Sequence, residues 1–463
     1  MPRTTLGPIL LPTLALAAVL AGCSDDPPRD NDTQTDTTGD GDGDGDSELG
    51  TTWWQDVAPI YYESCVGCHR DGGIGPFRLD EYESAAAWGP ASALAVEARI
   101  MPPFLVSDDG TCNSWQHSPV LSQEQIATIA AWVEAGTPEG TPRDDLELPE
   151  SDPLANTTAI TTPEFVPMPE GGPLLENDEY RCFLIDPALD HDAFMTGYEV
   201  DPGNDALVHH VLVMTIDPNR MSDDASMTNM QMMQALDDES PDRAGWPCLS
   251  LAGEGVLPEG LPVSWAPGQG AVRLPANSGF RIDADHLVVV QIHYNLYDMT
   301  LIGQSDSSSV ELQLVDEVER EGLFDGVDGL IPTLYEGEPH VIPAGEPAHD
   351  FSWRLPADWY IGWQGSEELE LWGFLPHMHT YGTTLTARVL DENGQELGCV
   401  GEVPRWDFHW QMYYFMEQPI VLKPGYEIEV TCTYDSTTAP VDLMPGWGTF
   451  NEMCFVGIYL LAP

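Results

Sequence analysis

The sequence predicts a multidomain chain in which a small all-α domain precedes all-β antiparallel sandwiches. Three observations carry this. Helical apolar spacing with a capping box lies within residues 51–145; short β-rich runs separated by turns follow, as at 206–216, 287–293 and 368–374; and 43 glycines with 40 prolines disfavour long helices. A 42% hydrophobic content over 463 residues is enough to bury several cores. Sixteen basic side chains face 77 acidic ones, a formal net charge of -61, which excludes nucleic acid or anionic lipid as partners of a basic surface. Lys423 is the one lysine. Such a surface repels itself unless salt screens it, which suits a saline setting outside the cytoplasm.

Residues 1–23 have a basic start at Arg3, an apolar stretch and small residues before Cys23, the pattern of a secretory signal peptide. Leu20-Ala21-Gly22-Cys23 resembles the lipobox of bacterial lipoproteins, in which the cysteine is lipid-modified. Residues 24–50, acidic and Gly/Asp-rich, cannot bury enough apolar area to fold and read as a disordered tether. The expected location is therefore outside the cytoplasm, lipid-anchored to the bacterial envelope and facing periplasm or exterior.

Residues 51–145 hold Cys65-Val66-Gly67-Cys68-His69. Two thiols at this spacing can form thioethers with haem vinyl groups, and the adjacent histidine can then ligate the iron. The surroundings resemble a cytochrome c domain with one haem c. Met101, followed by Pro102 and Pro103, is the candidate sixth ligand, with His117 as the alternative. Ser122-Gln123-Glu124-Gln125 is a capping box, with Leu121 and Ile126 placed as a hydrophobic staple. Ile126, Ile129, Ala130 and Val133 then share a helical face that Gly136 ends.

In the β-rich part, histidines cluster at His209-His210, at His293 and at His377-Met378-His379. Residues i and i+2 of a strand share a face, so His377 and His379 can chelate one ion while Met378 packs the other way. His209 and His210 point to opposite faces of a regular strand. Joint ligation needs a strand end or distorted backbone there, with His293 as third arm. Three imidazoles suit copper or zinc, and two imidazoles with a thioether favour Cu(I).

These motifs, followed by Glu452-Met453-Cys454, resemble the copper type II, ascorbate-dependent monooxygenases over residues 165–463. The segments 405–411 and 432–434 are similar too. The resemblance implies two jelly-roll-like sandwiches, at 165–320 and 321–463, with two coppers facing each other across an open cleft. It implies His209, His210 and His293 as ligands of an electron-transferring copper, and His377, His379 and Met453 as catalytic ligands of the copper that binds oxygen. It also implies disulfides Cys432–Cys454 and Cys182–Cys248, leaving Cys112 and Cys399 without an evident partner. The expected function is a copper-dependent monooxygenase that hydroxylates a C–H bond of a small organic substrate with O₂. Electrons would come through the fused haem from a redox donor, with ascorbate or another reductant as the alternative source. In peptide-hydroxylating relatives a carboxylate clamp occupies positions that align here with Leu375, Phe455 and Gly457, so a peptide substrate is disfavoured. The rival reading is a membrane-anchored copper and haem protein for electron transfer or copper handling, without hydroxylase activity.

Overall fold

The computed structural model describes residues 50–463 apart from 72–74, 148–153, 170–176, 224, 249–250, 268, 297, 336, 338, 409 and 447–450. The signal, Cys23 and the tether lie outside the described residues. From Leu49 onward the chain forms one unit.

Three sheets dominate. A five-stranded antiparallel sheet has the order Trp246–Pro247, Asp178–Ile185, Leu287–Asn295, Val208–Ile216, Gly260–Trp265. Its central strands are near-continuous apolar runs, Leu287–Asn295 being buried over most of its length, as expected when both faces are covered. A four-stranded antiparallel sheet has the order His349–Pro356, Glu427–Tyr434, Gly382–Leu390, Glu396–Val403. Here Glu427–Tyr434 alternates half-buried and buried residues, the period-two signature of a sheet with one covered face. A nine-stranded sheet lies against both: Met195, Tyr198, Phe280 and Phe324 share a core with Val211, Val213 and Val290 of the first. Phe374, Val456 and Ile458 share a second core with Leu385, Ala387 and Val430 of the other.

The boundary expected at 320 falls at the start of a strand shared by both parts. Strand Arg320–Asp328 crosses that boundary, pairing in parallel with Ser278–Ile282 on one side and antiparallel with Phe455–Leu461 on the other. Backbone hydrogen bonds thus fuse the two halves through one continuous sheet, which a local reading of strands cannot reveal.

The small all-α cytochrome c domain is also overturned. Among the described residues there are four α-helices, Ala58–Ser64, Tyr82–Glu97, Gln123–Glu134 and Asn229–Asp238, in an otherwise mainly β chain. The first three surround a core of Trp53, Val57, Tyr61, Ile129 and Trp132, and the capping box at Ser122 and Gln125 forms with both reciprocal hydrogen bonds. The chain between the second and third helices, however, does not close on them. Leu105, Val106 and Trp115 are buried in the β core beside Tyr414 and Met416, and Cys112 is bonded to Cys399. Gln116 N–H donates to the Phe415 carbonyl at 2.8 Å, and Glu417 N–H to that of Ser114 at 2.9 Å. These apolar residues have too little helical surface to cover them and are buried instead against a strand some 300 residues away.

Candidate metal centres

The first cluster depends on a β-bulge. Strand Val208–Ile216 pairs Val208 with Tyr294 and His210 with His293, the register shifting between them, so His209 is the extra residue. A bulge rotates the side chain of the inserted residue, and adjacent histidines can then share a side, which a regular strand forbids. The Nδ1 atoms of His209 and His210 are 3.1 Å apart, those of His209 and His293 3.1 Å, and those of His210 and His293 3.4 Å. Donors at about 2.0–2.1 Å from one trigonal ion stand roughly 3.5 Å apart, so this set fits a metal such as copper. Asp178 Oδ1 lies 3.0 Å from His293 Nε2, fixing the tautomer that presents Nδ1, and Tyr180 stacks on the His293 ring at 4.1 Å. The Asp178→Ala variant is expected to bind copper at this cluster roughly 10- to 100-fold more weakly, measured by Cu(I) chelator competition; an unchanged affinity would contradict the assignment.

The second cluster sits at the end of strand Leu369–His377. Met378 is buried in the β core, and the rings of His377 and His379 stand 5.0 Å apart at 83°. His377 Nδ1 is 2.8 Å from Gln411 Oε1 and His379 Nδ1 is 2.9 Å from the Asn451 carbonyl, so both rings present Nε2. Burial, helped by His379, pushes the His377 imidazole down to about 3, which keeps it in the neutral form a metal requires. Met453 is buried beside them. Its backbone is held by the Tyr434 hydroxyl, which donates to the Met453 carbonyl at 2.8 Å, and by the Cys432–Cys454 disulfide. The buried Glu452 carboxylate accepts from the backbone N–H groups of His379 at 3.0 Å and Tyr381 at 2.8 Å.

Both clusters line one cavity of about 80 Å³, which takes in His210 from the first and His377, His379 and Met453 from the second. Leu212, Leu251, Leu261, Leu375 and Phe455 complete an apolar wall, and among the described lining residues none is charged. Phe408 stands between the clusters, its ring centre 6.3 to 6.4 Å from the three histidines of the first and 6.0 Å from His379. The ring of Phe408 is one wall of the space between the clusters. Leu375 lies opposite Gly457, and His377 opposite Phe455, in the same ladder.

Residues 364–461 match the family "Copper type II ascorbate-dependent monooxygenase, C-terminal domain". That stretch of the chain is therefore similar to a copper monooxygenase C-terminal domain. The chain is 24% identical over 331 residues to the human putative DBH-like monooxygenase protein 2, covering 68% of this chain and 58% of that protein. It is 24% identical over 200 residues to tyramine beta-hydroxylase of Caenorhabditis briggsae, covering 42% of this chain and 33% of that protein. The chain thus spans less than two thirds of either relative. Among solved structures, the empty particle of cowpea mosaic virus aligns at 12% identity and a TM-score of 0.27 over 69% of this chain and 95% of that one, too remote for any argument.

The second cluster lies wholly inside the matched residues, and Gln411, Asn451 and the Cys432–Cys454 bond lie there with it. The first cluster lies before it. Cys182 is bonded to Cys248 on the same sheet as that cluster. Asp178 and Tyr180 carry no signal in the sequence, whereas Phe408 lies in the segment 405–411 already marked by the resemblance. Asp178 and Tyr180 reach His293 through strand pairing, with Tyr180 opposite His293, and no local spacing signals it.

Cys65 and Cys68 are not bridged to each other, and burial pushes the Cys65 thiol up to about 12. His69 Nδ1 is 3.0 Å from the Phe77 carbonyl, which leaves Nε2 as its donor atom. Met101 and Cys65 pack against the same helical core. His117 instead lines a separate cavity with Phe104, Trp410 and Tyr414.

Proposed function

We propose that this chain is a copper-dependent monooxygenase that hydroxylates a C–H bond of a small organic molecule, one oxygen atom of O₂ entering the product and the other leaving as water. The observation that carries the reading is the single apolar cavity bordered by both ligand clusters. Copper held by His209, His210 and His293 and by His377, His379 and Met453 would supply the one-electron steps and the site of O₂ reduction. The protein's own share is positioning. Asp178, Gln411 and the Asn451 carbonyl fix the ring tautomers, while Tyr434 and the Cys432–Cys454 bond hold Met453. The leucines and Phe455 exclude water and orient an apolar group toward the second cluster.

The absence of a charged group among the described lining residues favours a neutral aromatic or aliphatic substrate, or an amine whose cation stays at the acidic exterior. An oxygen-uptake screen of copper-loaded, reduced protein with small amines, phenols and hydrocarbons tests this. Uptake that rises with one class, at one hydroxylated product per O₂, is the expected result; uptake indifferent to every compound would instead support the electron-transfer reading.

The electron supply in this reading is a c-type haem attached at Cys65 and Cys68 with His69 and Met101 as iron ligands. The support is the unbridged thiols, the tautomer fixed by Phe77 and the packing of Met101 and Cys65 against one helical core. The segment after Met101 is tied to the β core through Cys112–Cys399 and the Tyr414 hydroxyl, which accepts from Leu105 N–H at 3.2 Å. Anaerobically reduced protein mixed with O₂ and substrate is expected to show haem oxidation within the turnover time. Haem that stays reduced through turnover assigns the electrons to ascorbate or another reductant. Export and lipid anchoring through Cys23 complete the proposal.

A further inference from the structure

The strands that carry the first histidine cluster hold a second group of ligand atoms at their opposite end. Ile216 pairs with Leu287 and Thr215 with Gly260, so the next residues outward, Asp217, His286 and Glu259, come together by sheet register alone. Glu259 N–H donates to the Thr215 carbonyl at 2.9 Å, and Asn229 Nδ2 to that of Asp217 at 3.0 Å, fixing both backbones. One ligand atom from each of the three side chains lies within 4.8 Å of the others. Six residues separate His286–Leu287 from His293 along an extended strand, roughly 20 Å, so this group is no part of the copper cavity.

The imidazole is what distinguishes the group from a patch of surface acids. His286 is largely buried; its Nδ1 stands 3.1 Å from Glu259 Oε2 and its Nε2 3.8 Å from Asp283 Oδ2. Asp283 has its own cation, since Arg281 Nε donates to it at 2.6 Å, and the same guanidinium binds Asp192. Asp217 and Glu259 therefore share a single imidazole between two carboxylates. A dication relieves that repulsion, whereas one protonated histidine compensates half of it. Nδ1 faces Glu259, with which it would share the ion, and the far side of the ring faces Asp283.

We propose that Asp217, Glu259 and His286 form a third metal site, one that takes a divalent cation of the zinc type. One nitrogen and two oxygens suit Zn²⁺ and leave a fourth position for water, and donors of a tetrahedral zinc stand about 3.4 Å apart, close to the His286–Glu259 separation. The ion would clamp the three strands of the copper-binding sheet at the end remote from the copper ligands. The exposed Glu259 side chain has room to adjust.

The test uses the full-length protein with its copper sites filled first, equilibrated with Zn²⁺ at micromolar free concentration, desalted and assayed for both metals. Wild type is expected to keep one zinc per chain beyond its copper, and Asp217→Asn with Glu259→Gln to hold zinc at least tenfold more weakly at unchanged copper content. Zinc should also raise the melting temperature of wild type and not of the double variant. Equal zinc retention in both proteins, or none in wild type, overturns the proposal. Should the double variant fail to fold, Glu259→Gln alone decides, because that side chain is partly exposed and its loss leaves the backbone hydrogen bonds intact.

Discussion

Replacing Met453 with alanine is expected to lower substrate-dependent O₂ uptake by roughly 100-fold or more while one copper per chain stays tightly bound. The thioether is the one soft donor beside His377 and His379, and without it two imidazoles hold Cu(I) poorly. Loss of a group that merely orients a ligand costs about 10- to 100-fold, and loss of the ligand itself should cost at least as much. The fold should survive. The backbone at 453 is anchored independently by the Tyr434 hydroxyl and by the disulfide one residue on, and truncating a buried methionine costs about 2–5 kcal/mol. The histidines at 209, 210 and 293 lie on another sheet and keep their Asp178 and Tyr180 contacts, so their copper remains as an internal control. Copper content, Cu(II) resonance signal and oxygen uptake measured on one preparation separate the outcomes. Undiminished uptake would remove Met453 from the reaction, and loss of both coppers would mean that the clusters are not independent.

Local rules made part of this site legible. His377 and His379 share a strand face because side chains alternate, and Met378 goes to the core for the same reason. The need for a distorted backbone at His209 and His210 was equally readable, since two adjacent side chains cannot otherwise meet one ion; the bulge supplies it. The capping box at Ser122 is complete within four residues. What was not legible depends on distant pairing. Asp178 meets His293 across 115 residues, and Phe408 touches both clusters from a segment that belongs to neither. The same limit explains the fold corrections. The helical spacing at 126–133 is genuine, yet it gives no hint that Leu105 and Trp115 just before that helix are buried on a distant sheet. Nor do the strand runs near 320 show that Arg320–Asp328 will join two halves.

Glu452 illustrates how a residue adjacent to the site controls stability as well as geometry, and its expected effects are large. Its carboxyl is fully buried, and burial pushes it up to about 8, with Asp328 nearby adding to the rise; burial pushes Asp328 itself up to about 6. In metal-free protein the folded chain therefore holds a proton on Glu452 that the unfolded chain releases near pH 4.5. Above that pH unfolding sheds the proton, so stability falls as pH rises from about 4.5 to 8 and levels off beyond. The expected loss across the window is a few kcal/mol by the usual conversion of about 1.4 kcal/mol per pH unit. Glu452→Gln keeps one oxygen as acceptor for the His379 or the Tyr381 N–H group and cannot ionise, so urea unfolding of apoprotein at pH 5 and pH 8 should give a much smaller difference than in wild type. Glu452→Ala removes the acceptor, leaves two N–H groups without it, and should cost about 3 kcal/mol even at pH 5. Because one of those N–H groups belongs to His379, the alanine variant should also bind copper more weakly at the second cluster while the glutamine variant retains it. A wild-type stability that rises toward pH 8 would show that the backbone donors outweigh burial and that Glu452 is ionised in the folded protein.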